Sequence, residues 1–150
     1  PEAIDLCLFL TDLIKRFDAG TVMLHECPEK LTVAFDRERL RSVVENVIDN
    51  AVKSGRQGGE VEALQDSPVE ISVFETDGYA VVLVKDRGKG VPEEAKGKLF
   101  DPFFTTRTTG SGMGLAIVKR FLDAMDGYIR LDARESGGTE VRIGIKKVGT

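Results

Sequence analysis

Hydrophobic residues recur at helical spacing at the start of the chain and again further along. The apolar positions of residues 4–17 predict a first helix, and Gly20 lies where that helix should end. Asp36 occupies the N-cap position of a second, longer helix that runs through about Lys53. We expect the buried face of this second helix to contain Leu40, Val43, Val44, Val47, Ile48 and Ala51.

The second half of the chain contains a further helical stripe. It begins at Leu115 and ends at Gly127, while Pro92 opens a shorter helix toward Leu99. Residues 54–67 are polar and rich in glycine and have no periodicity, which predicts a mobile connection after the second helix.

Six β-type runs lie between and after these helices. Two early runs look like strands joined by a turn at residues 27–30, and Thr76-Asp77-Gly78 is a hairpin signal. Gly137-Gly138 predicts another hairpin that closes the chain. In chain order the runs are 22–24, 31–35, 69–75, 79–85, 128–133 and 140–146.

Composition and charge are those of one globular domain. The 150 residues are 41% hydrophobic and 31% charged, which is enough to bury a substantial core. The net charge of -4 provides no broad basic surface for nucleic acid, so an anion must be captured by a local site. A pocket is therefore favoured over a charged patch.

The two cysteines and the apolar runs predict a cellular location. Cys7 and Cys27 are too few for a disulfide framework and lack C-x-x-C spacing, so we expect buried thiols in a reducing cytoplasm. No apolar run approaches the ~20 residues of a membrane span, which predicts no direct membrane contact. The chain begins at Pro1 without a methionine, as a fragment of a longer protein would.

Three polar side chains of the second predicted helix share one direction. At about 100° per residue, Asn46, Asn50 and Lys53 fall in one sector at the border of the apolar face, whereas Glu45 and Asp49 lie outside it and should be solvated. The sector is either a polar helix flank in water or a binding site. An amide oxygen is a suitable ligand for Mg²⁺, and a lysine can place a charge against a phosphate.

Two glycine-rich segments add backbone that can approach a ligand closely. Asp86-x-Gly88-x-Gly90 follows a β-run, and its carboxylate can accept a hydrogen bond from the exocyclic amine of adenine. The alternative is a turn capped by Asp86. Gly110-x-Gly112-x-Gly114 opens the Leu115 helix, where bare N–H groups favour an anion such as a triphosphate, and the alternative is a flexible linker.

The order of these segments resembles a known family. With Leu99-Phe100-Asp101-Pro102-Phe103-Phe104 between the last two, they are similar to the N, G1, F and G2 boxes of sensor histidine kinases, over residues from near 1 to about 146. The resemblance implies a Bergerat-type α/β two-layer sandwich, in which a mixed sheet of about five strands carries three helices on one face.

The resemblance also implies roles for individual residues. Asn50 would be the Mg²⁺ ligand, Asn46 would support it, and Lys53 would contact the phosphates of ATP. Phe100 belongs to the F box, whose aromatic residues anchor the hinge of a lid over ATP, and Arg107 lies where a lid cation approaches the γ-phosphate. The remaining expected nucleotide contacts are Asp86, Gly88, Gly90, Gly110, Ser111, Gly112, Met113, Gly114, Leu115 and Thr139.

The residue at position 46 separates reaction classes. Related ATPases and anti-sigma serine kinases look as though they carry a Glu there as general base, whereas an amide cannot take a proton from water or a serine hydroxyl. Transfer to a neutral imidazole suits Asn46 better. His25, the only histidine, is a poor candidate for the acceptor because it falls in a predicted strand and is expected to be a solvated or edge-strand residue.

The implied function is therefore that of a histidine kinase catalytic domain. It would bind Mg·ATP and transfer the γ-phosphate to a histidine on a separate helical phosphoacceptor domain, with a response regulator as the next acceptor. The alternatives are an ATPase or a protein serine kinase of the same fold, or a degenerate domain that serves for docking.

Overall fold

The computed structural model describes residues 2–17, 20–57, 69–86, 114–133 and 138–147, with the side chains of 53–57, 114 and 133 left aside. The three helices in these ranges are α1 (Leu6–Ile14), α2 (Arg37–Gln57) and α3 (Gly114–Ala124). The strands are β1 (Glu2–Asp5), β2 (Val22–Glu26), β3 (Thr32–Phe35), β4 (Val69–Thr76), β5 (Tyr79–Lys85), β6 (Tyr128–Ala133) and β7 (Thr139–Lys146).

Five of the strands form one mixed sheet in the order β2-β4-β5-β7-β6. β2 lies parallel to β4, and the other neighbouring pairs are antiparallel. Apolar side chains of the central strands and of the helices form one continuous core. The expected two-layer α/β sandwich is thus confirmed.

The β4–β5 hairpin is confirmed together with its turn. Thr76 pairs with Tyr79, so the connection has two residues. Asp77 and Gly78 both have positive φ, 46° and 85°, as a type I′ turn requires. The closing β6–β7 hairpin is also confirmed, with Ala133 opposite Thr139.

The beginning of the chain differs from the prediction in two respects. Ile4 lies in β1 instead of the first helix, which starts at Leu6. The strands β2 and β3 exist but do not form a hairpin, because β3 pairs with β1 in a separate two-stranded sheet and β2 pairs with β4. Pairing partners distant in the chain decide this arrangement, and the local pattern holds no information about them.

The cysteine prediction is wrong in this structure. Cys7 and Cys27 form a disulfide, with Cα atoms 5.8 Å apart, and both residues are half-buried. The two cysteines are 20 residues apart in sequence. β2 contacts α1, and the chain after β2 lies beside the first turn of α1, where the two cysteines meet.

The predicted N-cap of the second helix is confirmed, and so is its predicted buried face, since all six residues expected there are buried. The Asp36 carboxylate accepts a hydrogen bond from the Arg39 amide at 3.0 Å, and the Asp36 carbonyl accepts from the Leu40 amide at 2.8 Å. The helix continues to Gln57, so the first four residues of the predicted mobile connection are helical. The rest of that connection lies outside the described residues, as does the short helix predicted for residues 92–99.

α3 ends in a Schellman motif, and the residue in the left-handed position is not the predicted Gly127. Asp126, with φ 57°, adopts that conformation, and the Gly127 amide donates to the Leu122 carbonyl at 2.8 Å. Gly127 is required for another reason. A Cβ atom there would lie 2.6 Å from the Gly144 carbonyl oxygen, so the glycine lets α3 connect closely to β7.

On the face of the sheet opposite the core, long side chains of the strands themselves cover part of the surface. Val81 and Leu83 point to that face and are nevertheless buried. Phe74 is the cross-strand neighbour of Val81, and the Arg142 guanidinium lies 5.9 Å from the Phe74 ring centre. The uninterrupted apolar run of β5 is thereby explained.

Gly144 pairs with Tyr128 across β7 and β6, and the tyrosine ring lies directly over it. A Cβ atom at residue 144 would overlap the ring atoms Cε2 and Cζ. We expect Gly144→Ala to lower the free energy of unfolding by about 1–3 kcal/mol, the usual cost of overpacking. Urea denaturation followed by circular dichroism measures the loss.

The matched control for this substitution is the same change in a Tyr128→Leu background. If the tyrosine ring causes the loss, Gly144→Ala costs less in that background than in the native chain. An equal cost in both backgrounds would show that the ring is not responsible.

Candidate nucleotide site

Helix α2 holds the first group of predicted site residues. Asn46 and Asn50 lie one turn apart and are both half-buried, next to the fully buried Val47 and Ile48. This is the border position that the helical spacing predicted. Lys53 is on the same helix, and its side chain is not among those described.

The amide group of Asn46 has a defined orientation. Its Nδ2 atom donates to the Ser42 carbonyl oxygen at 2.7 Å and lies 3.3 Å from the Ser42 hydroxyl oxygen. The Oδ1 atom is therefore on the side of the group away from Ser42. The sequence analysis missed Ser42, although a Ser-x-x-x-Asn spacing on a helix is the pattern that permits such a bond.

A polar cleft of about 480 Å³ opens beside Asn46, between α2 and the end of α1. Glu45, expected to be solvated, forms a salt bridge there with Arg16 at 2.8 Å and has a side chain only 34% exposed. The described lining comprises Arg16, Phe17, Glu38, Arg41, Ser42, Glu45, Asn46 and Asp49. Asp86 and Thr139 do not belong to that described lining.

Asp86 and Thr139 come together at the end of β5. The Asp86 amide donates to the Thr139 carbonyl at 2.9 Å, and the Thr139 amide lies 3.3 Å from both the carbonyl and the Oδ1 atom of Asp86. This pair extends the β5–β7 ladder by one step beyond Lys85 and Glu140. Asp86 is 5% exposed and Thr139 6%, so a carboxylate lies in the protein interior at a defined position.

A buried carboxylate at the end of a strand can act as a selective acceptor. An ionised carboxylate has two oxygens and about four lone-pair sites, so it can accept hydrogen bonds from several donors at once. In a site with little water, such a charge-assisted bond is stronger than one between neutral groups. The arrangement suits recognition of an exocyclic amine.

The glycine-rich segments themselves lie outside the described residues. This applies to Gly88, Gly90, Phe100, Arg107, Gly110, Ser111, Gly112 and Met113. Gly114 is the first residue of α3, and Leu115 is half-buried in its first turn. The position of a helix N-terminus directly after the glycines is thus as expected, while a cavity shared by Asn50 and Asp86 stays a prediction.

His25 is an edge-strand residue, as expected. It lies in β2 at the edge of the sheet, its side chain is 44% exposed, and its Nε2 atom is 4.0 Å from Glu70 Oε2.

Within the described ranges no group of three or more His, Cys, Asp and Glu side chains could hold a metal ion. Among the helices of the same ranges, none is long and apolar enough to cross a membrane.

Comparisons with known proteins find a matching family and several relatives. The family described as histidine kinase-, DNA gyrase B- and HSP90-like ATPase matches residues 35–149. The sensor histidine kinase WalK of Bacillus subtilis is 31% identical over an alignment of 151 positions that covers 93% of this chain. The chain spans 24% of the length of WalK and 17% of that of Sporulation kinase A from the same organism.

Two solved structures have the same fold over almost the whole chain. The mycobacterial sensor histidine kinase MprB has a TM-score of 0.81 and 26% identity, and the match covers 99% of both chains. A nucleotide-free catalytic domain of the histidine kinase ThkA has a TM-score of 0.80 and 27% identity, covering 97% of this chain and 95% of that one.

Proposed function

Because this chain belongs to the histidine kinase-, DNA gyrase B- and HSP90-like ATPase family and is a histidine kinase catalytic, ATP-binding domain, we propose that it phosphorylates a histidine with Mg·ATP. The acceptor histidine lies on a separate helical domain of the parent kinase, and the aspartate of a response regulator receives the phosphoryl group next. Residues 1–150 form one domain of this kinase, and the domain works in the cytoplasm.

The buried Asp86–Thr139 pair carries this proposal. The carboxylate accepts a hydrogen bond from the exocyclic amine of adenine, while Thr139 holds one of its oxygens in place. Guanine presents a carbonyl oxygen at the equivalent edge, and two acceptors would then face each other. The pair therefore selects ATP over GTP. Gly88 and Gly90 allow the backbone to approach the flat ring.

The side chains of α2 fit a magnesium ion. Mg²⁺ is a hard cation that binds one or two protein oxygens in addition to phosphate oxygens and water. Asn46 directs its Nδ2 to Ser42 and thus has its oxygen on the opposite side of the amide. Asn50 ligates the ion directly and Asn46 supports it. When bound, the ion neutralises part of the negative charge of the phosphates.

The phosphates are held between α2 and the start of α3. Lys53 contacts them from α2, and the backbone N–H groups of Gly110, Gly112 and Gly114 approach from the other side. The neighbouring nucleotide contacts are Phe100, Arg107, Ser111, Met113 and Leu115. Catalysis consists of positioning the γ-phosphate and stabilising its developing charge, because phosphoryl transfer requires little covalent chemistry from the protein.

Asn46 argues against the ATPase and serine kinase alternatives of the same family. Its nitrogen carries protons that it donates to Ser42, so the group has no basic site for a proton from water or a serine hydroxyl. The acidic Glu45 next to it is paired with Arg16. A docking module without nucleotide would have no use for a buried carboxylate at the end of β5.

Binding of a fluorescent ATP analogue, measured by titration with and without Mg²⁺, tests the proposed function. We expect binding that Mg²⁺ strengthens at least about tenfold, which is about 1.4 kcal/mol, with slow hydrolysis by the isolated domain. Competition by GTP should be at least about tenfold weaker than by ATP. Absence of binding would support the docking module, and fast steady hydrolysis would support the ATPase.

A further inference from the structure

The disulfide between Cys7 and Cys27 joins two segments of the chain whose strands lie outside the five-stranded sheet. Cys7 lies in the first turn of α1, and Cys27 follows β2 in the connection to β3. We refer to residues 2–14 and 27–35 as the N-terminal corner. Its two strands, β1 and β3, pair with each other in a sheet of their own.

Non-covalent contacts also join the two segments of the N-terminal corner close to the disulfide. The Leu6 amide donates to the Leu31 carbonyl at 3.0 Å, one residue from Cys7. Ile4 and Leu31 are buried in the main core. A two-stranded sheet alone is marginally stable in water, so the corner depends on this packing, on the antiparallel bridge between Val33 and Lys147, and on the disulfide.

Neither cysteine is fully buried. Each residue is half-buried, which leaves part of it exposed to a small reagent. The chain contains no other cysteine, so a thiol of this pair has only its partner for an internal disulfide. Their Cα separation of 5.8 Å lies in the ordinary range for a disulfide, and no backbone shift is needed to close it.

We propose that Cys7 and Cys27 are a thiol–disulfide exchange site whose redox state controls the local stability of the N-terminal corner. Starting from the dithiol, one thiolate attacks a small-molecule disulfide and forms a mixed disulfide. The second thiolate then displaces the remaining small thiol and closes the Cys7–Cys27 bond. The two cysteines lose two electrons and two protons, and the small disulfide becomes two thiols. A small-molecule dithiol or protein thiol in excess reverses the reaction.

The oxidised form should be more stable, chiefly in the corner. Closing a loop of about 20 residues restricts the unfolded chain, and we expect the reduced protein to melt about 5–10 °C lower. The central strands β4, β5 and β7 contain neither cysteine. Reduction is therefore expected to increase hydrogen exchange in peptides of the N-terminal corner at least about tenfold and to leave the β4–β5 hairpin unchanged.

The experiment compares the whole chain after incubation with oxidised or reduced glutathione. Intact mass under non-reducing conditions should show the loss of two hydrogen atoms and no dimer, and proteolysis should give a Cys7–Cys27 cross-linked peptide. Hydrogen exchange and melting temperature are then measured in both states. The double variant Cys7→Ser, Cys27→Ser is the matched control: it contains no thiol and should not respond to glutathione in exchange or melting.

Free thiols in the glutathione-oxidised protein, or a disulfide formed only between two copies, would overturn the inference. It would also be overturned by equal exchange of the N-terminal corner in the two redox states. Because none of these readouts involves nucleotide, they are independent of whether the domain binds ATP.

Discussion

Replacing Asp86 with asparagine should lower the affinity for ATP at least about 100-fold while the domain keeps its fold. The carboxylate is 5% exposed and its Oδ1 lies 3.3 Å from the Thr139 amide nitrogen. An asparagine can keep an oxygen toward Thr139, and its NH₂ group then occupies the place of the second carboxylate oxygen. Loss of a charge-assisted bond and the new contact between two donors together cost about 3 kcal/mol.

The same substitution should change the preference for the base. An NH₂ group at this position can donate to the carbonyl oxygen of guanine, so the ratio of GTP to ATP affinity should rise. This change of ratio separates the loss of a specific hydrogen bond from general damage to the site, which would weaken both nucleotides equally.

Isothermal titration with ATP and GTP measures the effect of Asp86→Asn, and Asp132→Asn is the matched control. Asp132 lies on β6 with an exposed side chain, so its substitution should leave both affinities unchanged within about twofold. Circular dichroism verifies that both variants fold. Native ATP affinity in Asp86→Asn would disprove the proposed role of this carboxylate.

Replacing Asn50 with alanine should remove the Mg²⁺-dependent part of nucleotide binding and lower phosphotransfer at least about 100-fold. A direct oxygen ligand is lost, and alanine offers no replacement. Alanine has a higher helix propensity than asparagine, so α2 should be no less helical. Titration of a fluorescent ATP analogue at several Mg²⁺ concentrations measures the first effect, and phosphorylation of the separate phosphoacceptor domain measures the second.

Glu45→Gln is the matched control on the same helix. It removes the ion pair with Arg16, a partly exposed pair worth about 1 kcal/mol of stability or less. It should leave the Mg²⁺ dependence of binding in place. If Asn50→Ala kept the Mg²⁺ dependence, the metal ligand would have to be sought elsewhere in the chain.

The helices and the late hairpins could be predicted because their signals are local. Asp36 caps α2 by bonds to residues three and four positions ahead, and a helical stripe needs only the chain segment itself. The Asp77-Gly78 turn and the strands beside it are likewise neighbours in sequence. Residue preference and periodicity contain the whole signal in such cases.

The early strands show where local patterns stop being informative. The runs that became β2 and β3 were recognised, but their partners, β4 and β1, could not be read from residues 22–35. The same distance in sequence hid the Cys7–Cys27 disulfide. Pairing over such separations depends on how the entire chain packs, because the favourable contacts form only after distant segments meet.

The residues of the candidate site also fall into those that the sequence identified and one that it did not. Asp86 and Thr139 were each marked by a glycine-rich neighbourhood and by the resemblance to the histidine kinases, and the β5–β7 ladder joins them across 53 positions. Ser42 was missed, since a serine within a helix has no distinctive signal until the Asn46 amide is seen to donate to it.

The sequence by itself determined the residue types available for nucleotide chemistry, the helical sector of Asn46 and Asn50, and the family to which the chain belongs. Only the tertiary structure decided that Asp86 is buried against Thr139, how the Asn46 amide is turned, and that the two cysteines meet. The physical reason is that periodicity and capping act within a few residues, whereas burial, amide orientation and disulfide pairing arise from contacts between segments that the fold brings together.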